Sequence, residues 1–108
     1  MLKVDTTTLS GIISQCFAYS SDGRLSTTQQ GAILADGKRL RGLLLNLLSA
    51  QFDDGTQAVL TANSQLTNIN AELANSAAAL ANTAKTLNDV AGLVGNLDKL
   101  LNVATTFI

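Results

Sequence analysis

The chain has 108 residues, with seven Lys and Arg against eight Asp and Glu and a net charge of −1. That length holds one domain, and so sparse and balanced a charge disfavours nucleic acid as a partner. Histidine, proline and tryptophan are absent and aromatics make up only 4%, so there is no imidazole to act as base or metal ligand, and a strand-rich fold is disfavoured.

Leu and Ala are strong helix formers, and no proline interrupts them. The expected fold is all-α, one helical domain over residues 1–108, with helices at about 7–20, 27–51 and 56–106. The first helix should open after Thr6, Thr7 and Thr8, which are possible N-caps. Leu9, Ile12, Ile13, Cys16 and Phe17 then form one apolar stripe at helical spacing. Ser20-Ser21-Asp22-Gly23 reads as its closing turn.

The second helix opens at Ser26-Thr27-Thr28-Gln29-Gln30, where Ser26 with Gln29, or Thr27 with Gln30, suits a capping box. Ile33, Leu34, Leu40, Leu43, Leu44, Leu47 and Leu48 supply its apolar face. Gly37 falls on that face, where a missing side chain permits close approach of another backbone.

The third helix should start near Thr56, with Asp53 and Asp54 complementing its positive N-terminal end. Reading every seventh residue gives Val59, Leu66, Leu73, Leu80, Leu87, Val94, Leu101 and Ile108, all Val, Leu or Ile. A second row runs through Ala62, Ile69, Ser76, Thr83, Val90, Leu97 and Ala104. Leu93, Leu100 and Phe107 widen the face toward the C-terminus. A helix of about 50 residues would reach roughly 75 Å, whereas a second helix of about 25 covers roughly half of that.

The picture is an elongated antiparallel bundle whose C-terminal, coiled-coil-like helix outruns its own cover. The expected consequence is a homo-oligomer joined through Leu80, Leu87, Val90, Leu93, Val94, Leu97, Leu100, Leu101, Ala104, Phe107 and Ile108. The competing arrangement folds back at Ala91-Gly92 or Gly95, giving a compact four-helix monomer.

Candidate chemistry is thin. Cys16 lies on an apolar stripe and reads as a small core residue. Lys38, Arg39 and Arg41 form a basic cluster that either docks an acidic partner or is simply solvated. Asp53-Asp54-Gly55 lacks the spaced oxygens of a calcium loop, and Glu72 has no second carboxylate at helical spacing. No catalytic, metal-binding or cofactor-binding residues are expected, nor any cofactor. The start of the chain has no signal-peptide pattern, and its longest apolar run falls far short of the roughly 20 residues of a membrane span. A cytoplasmic protein, or one exported by a non-classical route, is the expectation.

The leading reading is a non-enzymatic structural part, adaptor or inhibitor that self-associates through its C-terminal helix. The alternative is a membrane-active amphipathic helical protein.

Overall fold

Caps and buried stripes set the helices where the local sequence favours them. The computed structural model describes residues 3–53 and 56–104, together with the backbone of 106 and 107. It places α1 at Thr6–Ser20, α2 at Thr27–Leu47, β1 at Ala50–Gln51, α3 at Gln57–Ala74, α4 at Ser76–Ala81, α5 at Thr83–Leu101 and β2 at Thr106–Phe107. The protein is mostly helical and all-α in class. Asp5, rather than the threonine cluster, caps α1: its carboxylate accepts from the Thr8 amide at 3.0 Å and the Thr8 hydroxyl at 2.7 Å. The Ser26–Gln29 capping box forms, with both reciprocal bonds in place at 2.9 and 3.1 Å.

Two expected spans are corrected. The second helix ends at Leu47, not near residue 51. Ala50 and Phe52 are both fully buried while Gln51 between them is half-exposed. That alternation suits an extended chain, since two residues two apart would face nearly opposite ways on a helix. Ala50 and Gln51 pair antiparallel with Phe107 and Thr106, so this short ladder also replaces the end of the predicted third helix.

The third helix itself is not continuous over residues 56–106. It is interrupted at Asn75 (φ −94°, ψ 85°) and again at Asn82 (φ −127°, ψ 48°), with the six residues of α4 between them. Asn competes poorly as a helix-interior residue because its side chain bonds nearby backbone. Here the Asn75 side-chain oxygen, Oδ1, accepts from the Ala78 amide.

Burial supplies the larger reason for the fold-back. A straight rod would leave the α5 ridge in water, whereas folding back buries Val90, Leu93, Leu97 and Leu100. Four such side chains, at about 1.5–3 kcal/mol each, outweigh a few backbone hydrogen bonds worth about 1 kcal/mol net each. The turn comes at residues 75–82, whereas Gly92 and Gly95 lie inside α5.

Four helices surround the resulting core in the cyclic order α1, α2, α5, α3. The Asp5 amide donates to Asn63 Oδ1 at 2.7 Å, and the Tyr19 hydroxyl donates to the Leu73 carbonyl at 2.6 Å, so α1 and α3 run parallel. The Thr86 hydroxyl lies 3.0 Å from Glu72 Oε1, and the Asn96 amide donates to Gln65 Oε1 at 3.1 Å, so α5 returns antiparallel to α3. The molecule measures 42 × 21 × 19 Å, a little over half the length of the expected rod. Gly37 does admit a close neighbour: a Cβ built there would lie 3.1 Å from the Cys16 Cβ.

Candidate functional site

The heptad rows are used differently on the two sides of the fold-back. On α3 the first two rows form the buried face, through Val59, Leu66 and Leu73 with Ala62 and Ile69. On α5 the buried face turns to Val90 and Leu97 with Thr86, Leu93 and Leu100. The residues expected at an oligomer interface therefore divide. Val90, Leu93, Leu97 and Leu100 are buried within the chain, and Leu80, Leu87, Val94, Leu101 and Ala104 are partly buried against the same core. Ile108 and the side chain of Phe107 lie outside the described residues. The premise of an uncovered α5 ridge is thus corrected, because α2 and α3 cover most of it.

The large apolar side chains left in water lie elsewhere. Leu45 is 67% exposed, Leu48 56%, Val103 55% and Leu60 48%. Leu45 on α2 and Leu48, the residue that caps its C-terminal end, stand in line with the basic cluster. Lys38, Arg41, Leu45 and Leu48 follow i, i+3, i+7, i+10 spacing, which places them on one helix face, and all four are exposed. By helical spacing this face lies about a quarter turn from the core residues Ile33, Gly37, Leu40 and Leu47, on the side toward Phe17 of α1. The Arg41 guanidinium carbon sits 5.5 Å from the centroid of the Phe17 ring on α1, which steadies the middle of the stripe. Arg39 is exposed on the α5 side of the helix and borders a groove of about 630 Å³ shared with Ala91, Val94 and Asp98. Half-buried Asp36 has its carboxyl raised by burial, with Arg39 acting in the opposite direction.

A sequence reading that tallied Leu48 with the buried face missed this stripe. Its signal lay in the spacing of 38, 41, 45 and 48, hidden by the near-continuous leucine run.

The fold also brings together two carboxylates that no helical spacing had joined. Lys85 Nζ lies 2.6 Å from Asp89 Oδ2 and 3.7 Å from Glu72 Oε1, tying α5 to α3. The hydrogen bond from Lys85 lowers the Asp89 carboxyl, and the reciprocal bond raises Lys85. With its ammonium between the two carboxylates, Lys85 serves as a clasp between α5 and α3. Cys16 is fully buried, and desolvation pushes its thiol up to about 12, with the Asp36 charge adding to the effect. A thiol held neutral is a poor nucleophile. Among the described residues, no group of three His, Cys, Asp or Glu side chains is placed to hold a metal ion.

Among the described residues of this all-α protein, the outer stripe of α2 is where two exposed leucines line up with two basic side chains. Comparisons with protein-family models, curated proteins and solved structures give no match.

Proposed function

We propose that the chain is a non-enzymatic interaction protein, a helical bundle that presents the outer face of α2 to a protein partner. The observation that carries this reading is the alignment of exposed Leu45 and Leu48 with Lys38 and Arg41 on a well-capped helix. Leucines held in water on a rigid helix are stabilised by a partner that covers them. Lys and Arg one to two turns away select for acidic groups beside the apolar contact. The partner chemistry that fits is a helix or groove with an apolar ridge bordered by Asp or Glu.

A photoreactive side chain at Leu45, introduced in cells that make the protein, tests this reading. The expected result is one dominant protein adduct that disappears when Lys38→Glu and Arg41→Glu are added. Both are exposed positions, where stability changes stay within about 0.5 kcal/mol. Absence of a protein adduct, or one indifferent to the charge reversals, refutes the reading.

The second reading is contact with an anionic bilayer surface, favoured by the same stripe because basic residues flank its exposed leucines. Among the described residues no helix is long and apolar enough to cross a membrane, so such contact would be peripheral. Flotation with vesicles containing anionic lipid separates the two. Salt-sensitive flotation lost in Leu45→Ser with Leu48→Ser supports the bilayer, and no flotation excludes it.

A further inference from the structure

The turn between α3 and α5 is made without proline, glycine or a left-handed residue. Residues 56–91 contain neither proline nor glycine, and α4 is Ser-Ala-Ala-Ala-Leu-Ala, a composition that favours helix. The two corners are Asn75 and Asn82, both at negative φ, so neither stores left-handed strain. Returning them to helical geometry takes about 130° in ψ at Asn75 and, at Asn82, about 90° in ψ together with about 60° in φ.

The backbone groups freed at these corners are also satisfied in a way that can be exchanged. In a continuous helix the Leu73 carbonyl would accept from the amide of Ala77, and the Leu80 carbonyl from that of Ala84. Here Leu73 accepts instead from the Tyr19 hydroxyl, and Leu80 from the Thr83 hydroxyl at 2.9 Å. The Thr86 hydroxyl, whose one proton is shared with Glu72 Oε1, lies 3.3 Å from the Ala79 carbonyl. Side chains thus stand in for the missing helix turns. The Leu73 and Leu80 carbonyls each have one partner with the turn closed and another with it straight.

The heptad row that begins at Val59 runs through both corners without losing phase. A hairpin does not require that, because its two arms bury different faces. In a continuous helix that row would run along one side from α3 to α5. Straightening would lift α5 from α2 and α3, exposing both its ridge and the slot it left. The complement of that slot is α5 itself, so the surface that fits it without redesign is the α5 of a second copy.

We propose that residues 75–82 are a hinge, and that straightening it yields a reciprocal dimer in which α5 of each copy packs on α2 and α3 of the other. The monomer must choose between the buried ridge and an unbroken helix; the exchanged dimer has both. The contacts of Val90, Leu93, Leu97 and Leu100 are the same in the two forms, so the same side chains serve first as core and then as interface. This assembly does not use the outer face of α2 and stands independently of the docking function assigned to it.

The test uses the full chain. Gln65→Cys and Asn96→Cys are introduced together, since those side chains meet across α3 and α5, and a short bifunctional thiol reagent joins them. Buried Cys16 stays silent at neutral pH, and each single variant serves as a control. In the monomer the link closes within one chain; in the exchanged dimer it joins two.

Adding Asn75→Ala with Asn82→Ala should lower the dimer dissociation constant at least tenfold by light scattering and convert the link to interchain. Asn75→Gly with Asn82→Gly should hold the protein monomeric. If the alanine variant does not fold, the crosslink pair alone supplies the reading after incubation at high concentration near its thermal midpoint and return to 20 °C. An alanine variant that stays monomeric refutes the hinge. So does a dimer whose links remain intrachain, and so does an absence of interchain link after that incubation.

Discussion

Replacing Gly37 with Ala tests the packing of α1 on α2 against simple helix propensity. Gly31, Gly37 and Gly42 all lie within α2, so Ala at any of them gains the same intrinsic preference, about 0.5–1 kcal/mol. At Gly31 and Gly42 an added Cβ meets nothing within 4 Å, and that gain should appear in full. At Gly37 the new methyl would lie 3.1 Å from the Cys16 Cβ and 3.6 Å from the Phe17 ring. A Cβ on a helix backbone cannot rotate aside, so α1 and α2 must separate. Overpacking of this kind costs about 1–3 kcal/mol.

The net expectation is a loss of about 1 kcal/mol for Gly37→Ala and a gain of similar size for Gly42→Ala. At roughly 4–8 °C per kcal/mol for a small domain, the two variants should differ in Tm by about 10 °C. Thermal unfolding followed by circular dichroism, with urea titration to confirm the ranking, measures it. If Gly37→Ala is as stabilising as Gly42→Ala, the helices do not approach at Cys16 and the assignment of the core is wrong.

Two further predictions concern ionisation. The Cys16 thiol, pushed from its ordinary value of 9.0 to about 12 by burial, should resist maleimide at pH 8 until the protein unfolds. Because its folded-state value is raised, its contribution is intact below pH 9 and is lost between about 9 and 12. Cys16→Ala should flatten that alkaline limb, leaving a remainder from Tyr19, which burial also raises. Asp5 shows the opposite sign. Hydrogen bonds from Thr8 lower its carboxyl, so its stabilisation is present above about pH 4 and disappears as pH falls through the lowered value. Asp5→Ala should cost about 0.5–2 kcal/mol at pH 7 and much less at pH 2, as read by urea midpoints at the two pH values.

Much of the fold was legible because its cues are local. The stripe of Leu9, Ile12, Ile13 and Cys16, the Ser26–Gln29 box and the approach at Gly37 each depend on residues within a few turns and took their expected places, whereas Phe17, the last residue of the expected stripe, is only partly buried. The failures came where two local preferences had to be weighed against a global one. Asn75 and Asn82 are modest helix breakers in a strongly helical stretch, and nothing nearby says that Tyr19, more than fifty residues away, supplies the Leu73 carbonyl with a partner. The exposed stripe on α2 was obscured for a different reason: a run of leucines hides which of them faces the core until α1 and α5 are in position.

By itself the sequence determined the helical class, the Ser26–Gln29 cap and the apolar rows, because backbone propensity and side-chain periodicity act over three or four residues. Only the tertiary structure decided that the long apolar ridge folds back on its own chain and that Leu45 and Leu48 are left in water. Those outcomes turn on burial summed across helices distant in sequence, a quantity no single segment carries.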